Sequence, residues 1–172
     1  MIKALFLDRD GVINTDFGYT HEWEPNIMIA GIIELIKKYN GKGYCVCIIT
    51  NQSGIGRGYY SEIAFHRFME HMITYCKSYG AIIDKFYYCK CIPSKRNCEN
   101  RKPNPGMLFQ ASKDLGINLE ASIFVGDKIT DMEAAERASI GRKFLYSPNG
   151  INTKNYNSNI NYKSIRSFSE IK

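Results

Sequence analysis

The stretch KALFLDRDGVIN, residues 3–14, decides the fold. Ala4 to Leu7, with Ile2 just before them, form a short apolar run of the kind that fills a strand buried on both faces, and it ends abruptly in Asp8-Arg9-Asp10-Gly11. In open parallel sheets ligands bind beyond the carboxyl ends of the strands, so acids at this point are placed for chemistry. D-x-D-G arises by chance in only about 3% of chains this long. Two carboxylates about 4 Å apart repel by about 4 kcal/mol at an effective dielectric of about 20, so ionised Asp8 and Asp10 need a shared proton or a cation. Mg²⁺ suits that need because it takes oxygen ligands and engages phosphate. The competing reading is an Asp-Gly turn capped by Asp10.

Further apolar runs follow at Tyr44 to Ile49, Phe86 to Tyr88, Ile123 to Val125 and Phe144 to Tyr146. Stretches of helical period separate them: Ile32 to Tyr39, the segment after the N-cap candidate Ser61, the segment from Pro105 to Gly116, and Thr130 to Ala138. This alternation predicts an α/β fold, a mostly parallel sheet with helices on both faces, in one domain over residues 1–172. The gap between Asp8 and the first helix is too short for a large cap domain. From Pro148 the chain turns rich in Asn, Ser and Lys, and residues 148–172 are expected to be loose, with a short strand and a helical turn over Ser167 to Ile171.

Three more segments carry polar groups toward the same edge. Thr50-Asn51-Gln52-Ser53 leads into Gly54, Gly56 and Gly58, a hydroxyl- and amide-rich turn able to cradle phosphoryl oxygens but lacking the lysine and spacing of a P-loop. Arg101-Lys102-Pro103 precedes the third helix and offers one cation to the carboxylates and another to a second anionic group. Gly126-Asp127-Lys128 follows the fourth strand and brings a third carboxylate to the same edge, with Asp131 as a candidate helix-dipole residue one turn later. Each taken alone is also compatible with an ordinary surface loop.

The chain holds 23 Lys and Arg against 17 Asp and Glu, a formal charge of +6, but the basic residues are scattered and favour a small anionic substrate over nucleic acid. The N-terminal apolar run is too short for a signal peptide or a membrane span, so no membrane association and a cytoplasmic location are expected. The six cysteines are then expected as reduced thiols or metal ligands, with Cys45, Cys47 and Cys76 as packing residues.

DRDGVIN (8–14), FGYTHE (17–22), TNQSGIGRG (50–58), RKPNPGM (101–107) and VGDKITDM (125–132), in this order, resemble the haloacid-dehalogenase superfamily, in the branch of the D-glycero-D-manno-heptose 1,7-bisphosphate 7-phosphatases and histidinol-phosphate phosphatases. The resemblance runs from Lys3 to about Leu145. It implies a Rossmann-like fold and a Mg²⁺-dependent phosphatase, acting through an aspartyl phosphate on a small sugar phosphate in nucleotide-activated heptose biosynthesis for lipopolysaccharide or capsule. It implies Asp8 as nucleophile and Asp10 as general acid and base. Thr50, Asn51 and Lys102 would steady the phosphoryl group, and Mg²⁺ would sit on Asp8, the Asp10 backbone carbonyl and Asp127. Asp16, Phe17, Gly18, Tyr19, Gln52, Ser53, Arg101 and Lys128 match substrate contacts, and the branch's habit suggests a monomer. Where its members bind structural zinc through C-x-H and C-x-C, this chain has Cys89, Cys91, Cys98 and Asn100, so three thiolates plus water or no zinc at all both stay open. Histidinol phosphate or a range of sugar phosphates are the alternative substrates, and a non-catalytic phosphate-binding module is the alternative class.

Overall fold

The structure, a computed structural model, describes residues 1–94, 98–150 and 159–172. Six strands make one sheet: β1 (Ala4–Leu7), β2 (Cys45–Asn51), β3 (Lys85–Cys89), β4 (Ile123–Gly126), β5 (Arg142–Tyr146) and β6 (Lys163–Ile165). They lie in the order β3-β2-β1-β4-β5-β6, and every pairing is parallel. All four residues of β1 are buried, as its unbroken apolar run requires of a central strand. The single helical turn α2 (Ser53–Gly56) follows β2; Leu5 and Leu7 enter one core layer with α1 (Ile32–Gly41) and α3 (Glu62–Ser78), while Ala4 and Phe6 enter the other with α4 (Gly106–Leu115) and α5 (Ile129–Arg137). Helices therefore cover both faces, and the five expected strands and four expected helices are all present.

The helix ends follow their sequence signals. Ser61 Oγ accepts the Ala64 N–H at 3.1 Å and starts α3, and Gly116, at φ +65°, closes α4 in the left-handed region. Ser61→Ala is expected to lower unfolding stability by about 1 kcal/mol without touching the strand ends, a shift readable in urea titration. Residues 151–158, in the stretch expected to be loose, lie outside the described residues. Beyond them β6 pairs with β5, and the 3₁₀ turn Phe168–Glu170 stacks Phe168 on Tyr146 with 4.4 Å between ring centres.

The chain runs from β1 outward to β3 and then returns to β4 on the other side of β1. Neighbouring connections therefore diverge between β1 and β4, and this opens the crevice in which such sheets bind ligands. Asp16, Gly18 and Tyr19, from the segment after β1, and Arg101, shortly before α4, line that crevice.

Candidate active site

Asp8 ends β1 with its N–H still bonded to the Val125 carbonyl of β4 at 3.0 Å, so its place at the crevice is set by the ladder itself. The chain then turns through Gly11 at φ +85°, where a Cβ would overlap the Asp127 carboxylate; only glycine lets the two strand ends approach so closely. Asp8 is almost fully buried. Burial pushes its carboxyl above the usual range, Lys102 pulls it back down and Asp131 adds repulsion, leaving it raised.

Lys102 reaches Asp8 from the other side of the sequence. Its Nζ is 3.0 Å from Asp8 Oδ1, 2.7 Å from Asp131 Oδ1 and 2.7 Å from the Ile49 carbonyl, so all three ammonium protons have acceptors in a buried site. Burial favours its neutral amine, but Asp131 and Asp8 outweigh that and hold it protonated. Asn51 fixes the backbone beneath: its amide donates to the Lys102 carbonyl at 3.0 Å and accepts the Lys102 N–H at 3.1 Å. Arg137 of α5 adds bonds to the Pro103 carbonyl and Asn104.

Carboxylate oxygens of Asp8, Asp127 and Asp131 lie within 4.8 Å of one another. Asp131 is already committed, with Oδ1 on Lys102 and Oδ2 accepting the Lys128 N–H at the start of α5. Asp127 is different: its Oδ1 is buried with no hydrogen-bond partner among the described residues. Burial first, then the charges of Asp8 and Asp131, push its carboxyl up to about 8. An orphaned oxygen amid mutually repelling acids fits a hard divalent cation.

The Asp10 side chain does not join that cluster. Arg9 grips it through Nε and Nη2 at 2.7 to 3.1 Å, Asn14 Nδ2 bonds Oδ1 at 3.0 Å, and Gln52 Nε2 bonds Oδ2 at 2.9 Å. Arg9 is wholly buried, its guanidinium carbon 4.5 Å from the Phe68 ring centre, and Nη2 also donates to the Thr20 carbonyl. Only the backbone of Asp10 is therefore left as the expected ligand for Mg²⁺, while the carboxylate faces the same cavity from its rim.

That cavity holds about 410 Å³ and gathers Asp8, Asp10, Thr50, Asn51 and Lys102 with Asp16, Gly18, Tyr19, Gln52, Ser53, Arg101 and Lys128. Phe17, 71% exposed, is absent from the lining. Lys128 crosses to Asp16 Oδ2 at 3.1 Å and ties the loop after β1 to the start of α5. Gln52 spends its amide inside the protein, on Asp10, Thr50 and Tyr60, and Asn51 spends its own on Lys102. Sequence reasoning missed Arg9, Tyr60 and the role of Asp131 as partner of Lys102. The aromatic positions 65 and 68 on the core stripe of α3 were the available signal for a buried guanidinium.

The sulfurs of Cys89, Cys91 and Cys98 also converge within 4.8 Å, with Asn100 on the same groove. Cys91 and Cys98 are joined as a disulfide with Cα atoms 6.6 Å apart, and Cys89 Sγ lies 3.4 Å from Cys98 Sγ. This differs from the expected reduced thiols or metal ligands, because two of the three converging sulfurs bond to each other. Zinc takes thiolates, so the cluster fits it only with that bond reduced. Arg101 Nη1 donates to the Cys91 carbonyl at 2.8 Å and so couples this loop to the cavity. Cys47 and Cys76 are fully buried and Cys45 partly so, as packing residues should be.

The family described as "Polynucleotide kinase 3 phosphatase" matches residues 8–160. The D-glycero-beta-D-manno-heptose-1,7-bisphosphate 7-phosphatase of Photorhabdus laumondii is 43% identical over 150 residues, covering 84% of this chain and 80% of that protein. The alpha-heptose counterpart of Burkholderia mallei is 44% identical over 149 residues, covering 83% and 79%. Among solved structures, a HAD-like phosphatase from Mesorhizobium loti superposes with a TM-score of 0.84 at 33% identity, covering 98% of this chain and 82% of that one. The D,D-heptose 1,7-bisphosphate phosphatase of B. bronchiseptica, complexed with magnesium and phosphate, superposes with a TM-score of 0.76 at 28% identity, covering 84% and 80%. With acids at the ends of β1 and β4, a buried lysine between them and these relatives, the chain belongs to the haloacid-dehalogenase superfamily of phosphatases, in the branch of the heptose-bisphosphate 7-phosphatases.

Proposed function

We propose that the chain is a Mg²⁺-dependent phosphomonoesterase that removes the C7 phosphate of D-glycero-D-manno-heptose 1,7-bisphosphate. The observation that carries the reaction class is the trio of buried Asp8 and Lys102 with half-buried Asp127, in which a lysine and a buried, unpartnered carboxylate oxygen flank one acid. The relatives' names carry the substrate.

Asp8 forms a bond to phosphorus as the bond from phosphorus to the sugar oxygen breaks, and a proton carried by Asp10 passes to that oxygen. Water then attacks the aspartyl phosphate, giving its proton to Asp10 and releasing phosphate with the Asp8 carboxylate restored. Lys102 and the Thr50 hydroxyl steady the phosphoryl oxygens, and Asn51 contributes by fixing Lys102. Mg²⁺ would be held by Asp8, Asp127 and the Asp10 backbone carbonyl, and supplies neutralising charge at the transferring group. Arg101 and Lys128, which both line the cavity, are the cations available to the remainder of the substrate. With Cys91 and Cys98 reduced, Cys89, Cys91 and Cys98 would offer structural zinc three thiolates and leave water as the fourth ligand.

Phosphate release with Mg²⁺ should be at least about tenfold more efficient from heptose 1,7-bisphosphate than from histidinol phosphate or a 3′-phosphorylated oligonucleotide, a difference of about 1.4 kcal/mol in transition-state binding. Preference for either competitor overturns the substrate. Absence of release from every ester favours a phosphate-binding module.

A further inference from the structure

Gln52 sits at the cavity edge yet has no amide group left for a ligand. Its Nε2 lies 2.9 Å from Asp10 Oδ2 and 2.8 Å from Thr50 Oγ1, and its Oε1 lies 2.6 Å from the Tyr60 hydroxyl. Asp10 Oδ2 already accepts an Arg9 N–H at 2.7 Å, so it stands as an acceptor and the atom facing it is the Gln52 nitrogen. Oε1 then faces Tyr60, and Tyr60 must donate. The two N–H bonds of Gln52 are thereby assigned, one to Asp10 and one to Thr50. Thr50, accepting from Gln52, keeps its own proton to donate elsewhere.

The direction of this chain is fixed at its outer end by Tyr60. A Cβ at Gly54 would overlap the Tyr60 ring, so glycine is what lets the ring lie against the turn after β2. His21 stacks on the Tyr60 ring, 4.7 Å between ring centres and 11° from parallel. Burial pushes the Tyr60 hydroxyl up to about 12, and it stays a donor throughout the working range of an enzyme. His21 belongs to the loop after β1 that lines the cavity. Arg9, which also grips Asp10, bonds the Thr20 carbonyl of the same loop. Asp10 is thus tied to that loop from two directions.

We infer that Tyr60 and Gln52 are positioning residues: a one-way hydrogen-bond chain from the Tyr60 hydroxyl through the Gln52 amide orients the Asp10 carboxyl group for protonating the departing sugar oxygen. Without the Tyr60 hydroxyl, the buried Gln52 oxygen loses its donor, and the amide can turn to set Oε1 against the Asp10 carboxylate, acceptor against acceptor. This inference rests on the reading of Asp8 as nucleophile and Asp10 as acid.

The leaving group separates this role from a structural one. A sugar alkoxide needs a proton to depart, whereas p-nitrophenolate departs without one, and kcat/KM reports only the steps through that departure. Tyr60→Phe, assayed at saturating Mg²⁺, is expected to lower kcat/KM about tenfold for heptose 1,7-bisphosphate and less than about twofold for p-nitrophenyl phosphate. Turnover of the aryl ester also certifies that the variant is folded. Gln52→Met should show an alkyl-over-aryl loss at least as large, since it removes the bond to Asp10 itself. Equal losses for the two esters in Tyr60→Phe, or none for either, overturn the inference. Asp10→Asn runs beside it: if that variant fails to discriminate between the esters, the acid role of Asp10 falls, and the failure lies there rather than in the chain.

Discussion

Asp8→Asn is expected to lose roughly 10⁴-fold or more in kcat while its melting temperature stays within roughly 3 °C of the parent. Asparagine is nearly the same size and keeps an oxygen for the two groups now on Asp8 Oδ1, the Lys102 ammonium at 3.0 Å and the Arg9 N–H at 2.7 Å. What it lacks is the negative charge that makes a carboxylate a nucleophile toward phosphorus. Removing that charge also relieves repulsion with Asp127 and Asp131, whose oxygens share the same 4.8 Å neighbourhood, and this offsets the weaker bond to Lys102. Phosphate release over many hours, read beside a thermal melt of the same preparation, checks both halves. A folded Asp8→Asn protein within tenfold of parental activity would remove Asp8 from the reaction.

The convergence of distant residues was legible because it depends on backbone direction alone. Once β1, β2 and β4 are recognised as parallel strands, Asp8, Thr50 and Asp127 must emerge at one edge, whatever their rotamers. Lys102 was legible for a related reason: it sits just before α4, where the chain returns to that edge. What the spacing left open was which side chain takes which partner. Asp131 fits a helix-dipole residue as well as it fits an anchor for Lys102, and the structure gives it both bonds at once. Gln52 and Asn51 carry the donors expected of a phosphate cradle, but those donors are spent internally.

Arg9 shows the limit most clearly. Between two acids it reads as a variable position in D-x-D, since a wholly buried arginine is rare unless paired. Its burial follows from its surroundings: Phe68, far along the chain, offers a ring face at 4.5 Å, while Asp10 and the Thr20 carbonyl take the protons of Nε and Nη2. The same bonds hold the Asp10 carboxylate apart from Asp127, so D-x-D places one acid in the cluster with Asp127 and the other at its rim. The cysteines follow this pattern too, since their spacing announces a cluster but not whether the sulfurs bind a metal or one another.

Lys102→Met tests the site's electrostatics rather than its nucleophile, and it should be the most destabilising single change at the strand ends. Methionine fills similar volume but leaves Asp8, Asp131 and the Ile49 carbonyl without their shared donor in a buried setting. Breaking a buried pair in this way costs about 3–5 kcal/mol, and in a chain of 172 residues that is a fall of about 6–20 °C in melting temperature. Activity should fall by about 10² to 10³, the usual loss when one preorganised positive group beside a developing anion is removed. Saturating Mg²⁺ should narrow the gap in melting temperature between the two proteins, because a cation at Asp8 and Asp127 neutralises part of the charge that Lys102 no longer meets. Lys102→Arg should recover little, since a planar guanidinium cannot direct three protons from one point onto three acceptors around it. A Lys102→Met protein that melts within about 2 °C of the parent without metal would mean that the acids are already protonated in the native state. The charge-paired description of Asp8, Lys102 and Asp131 would then be wrong.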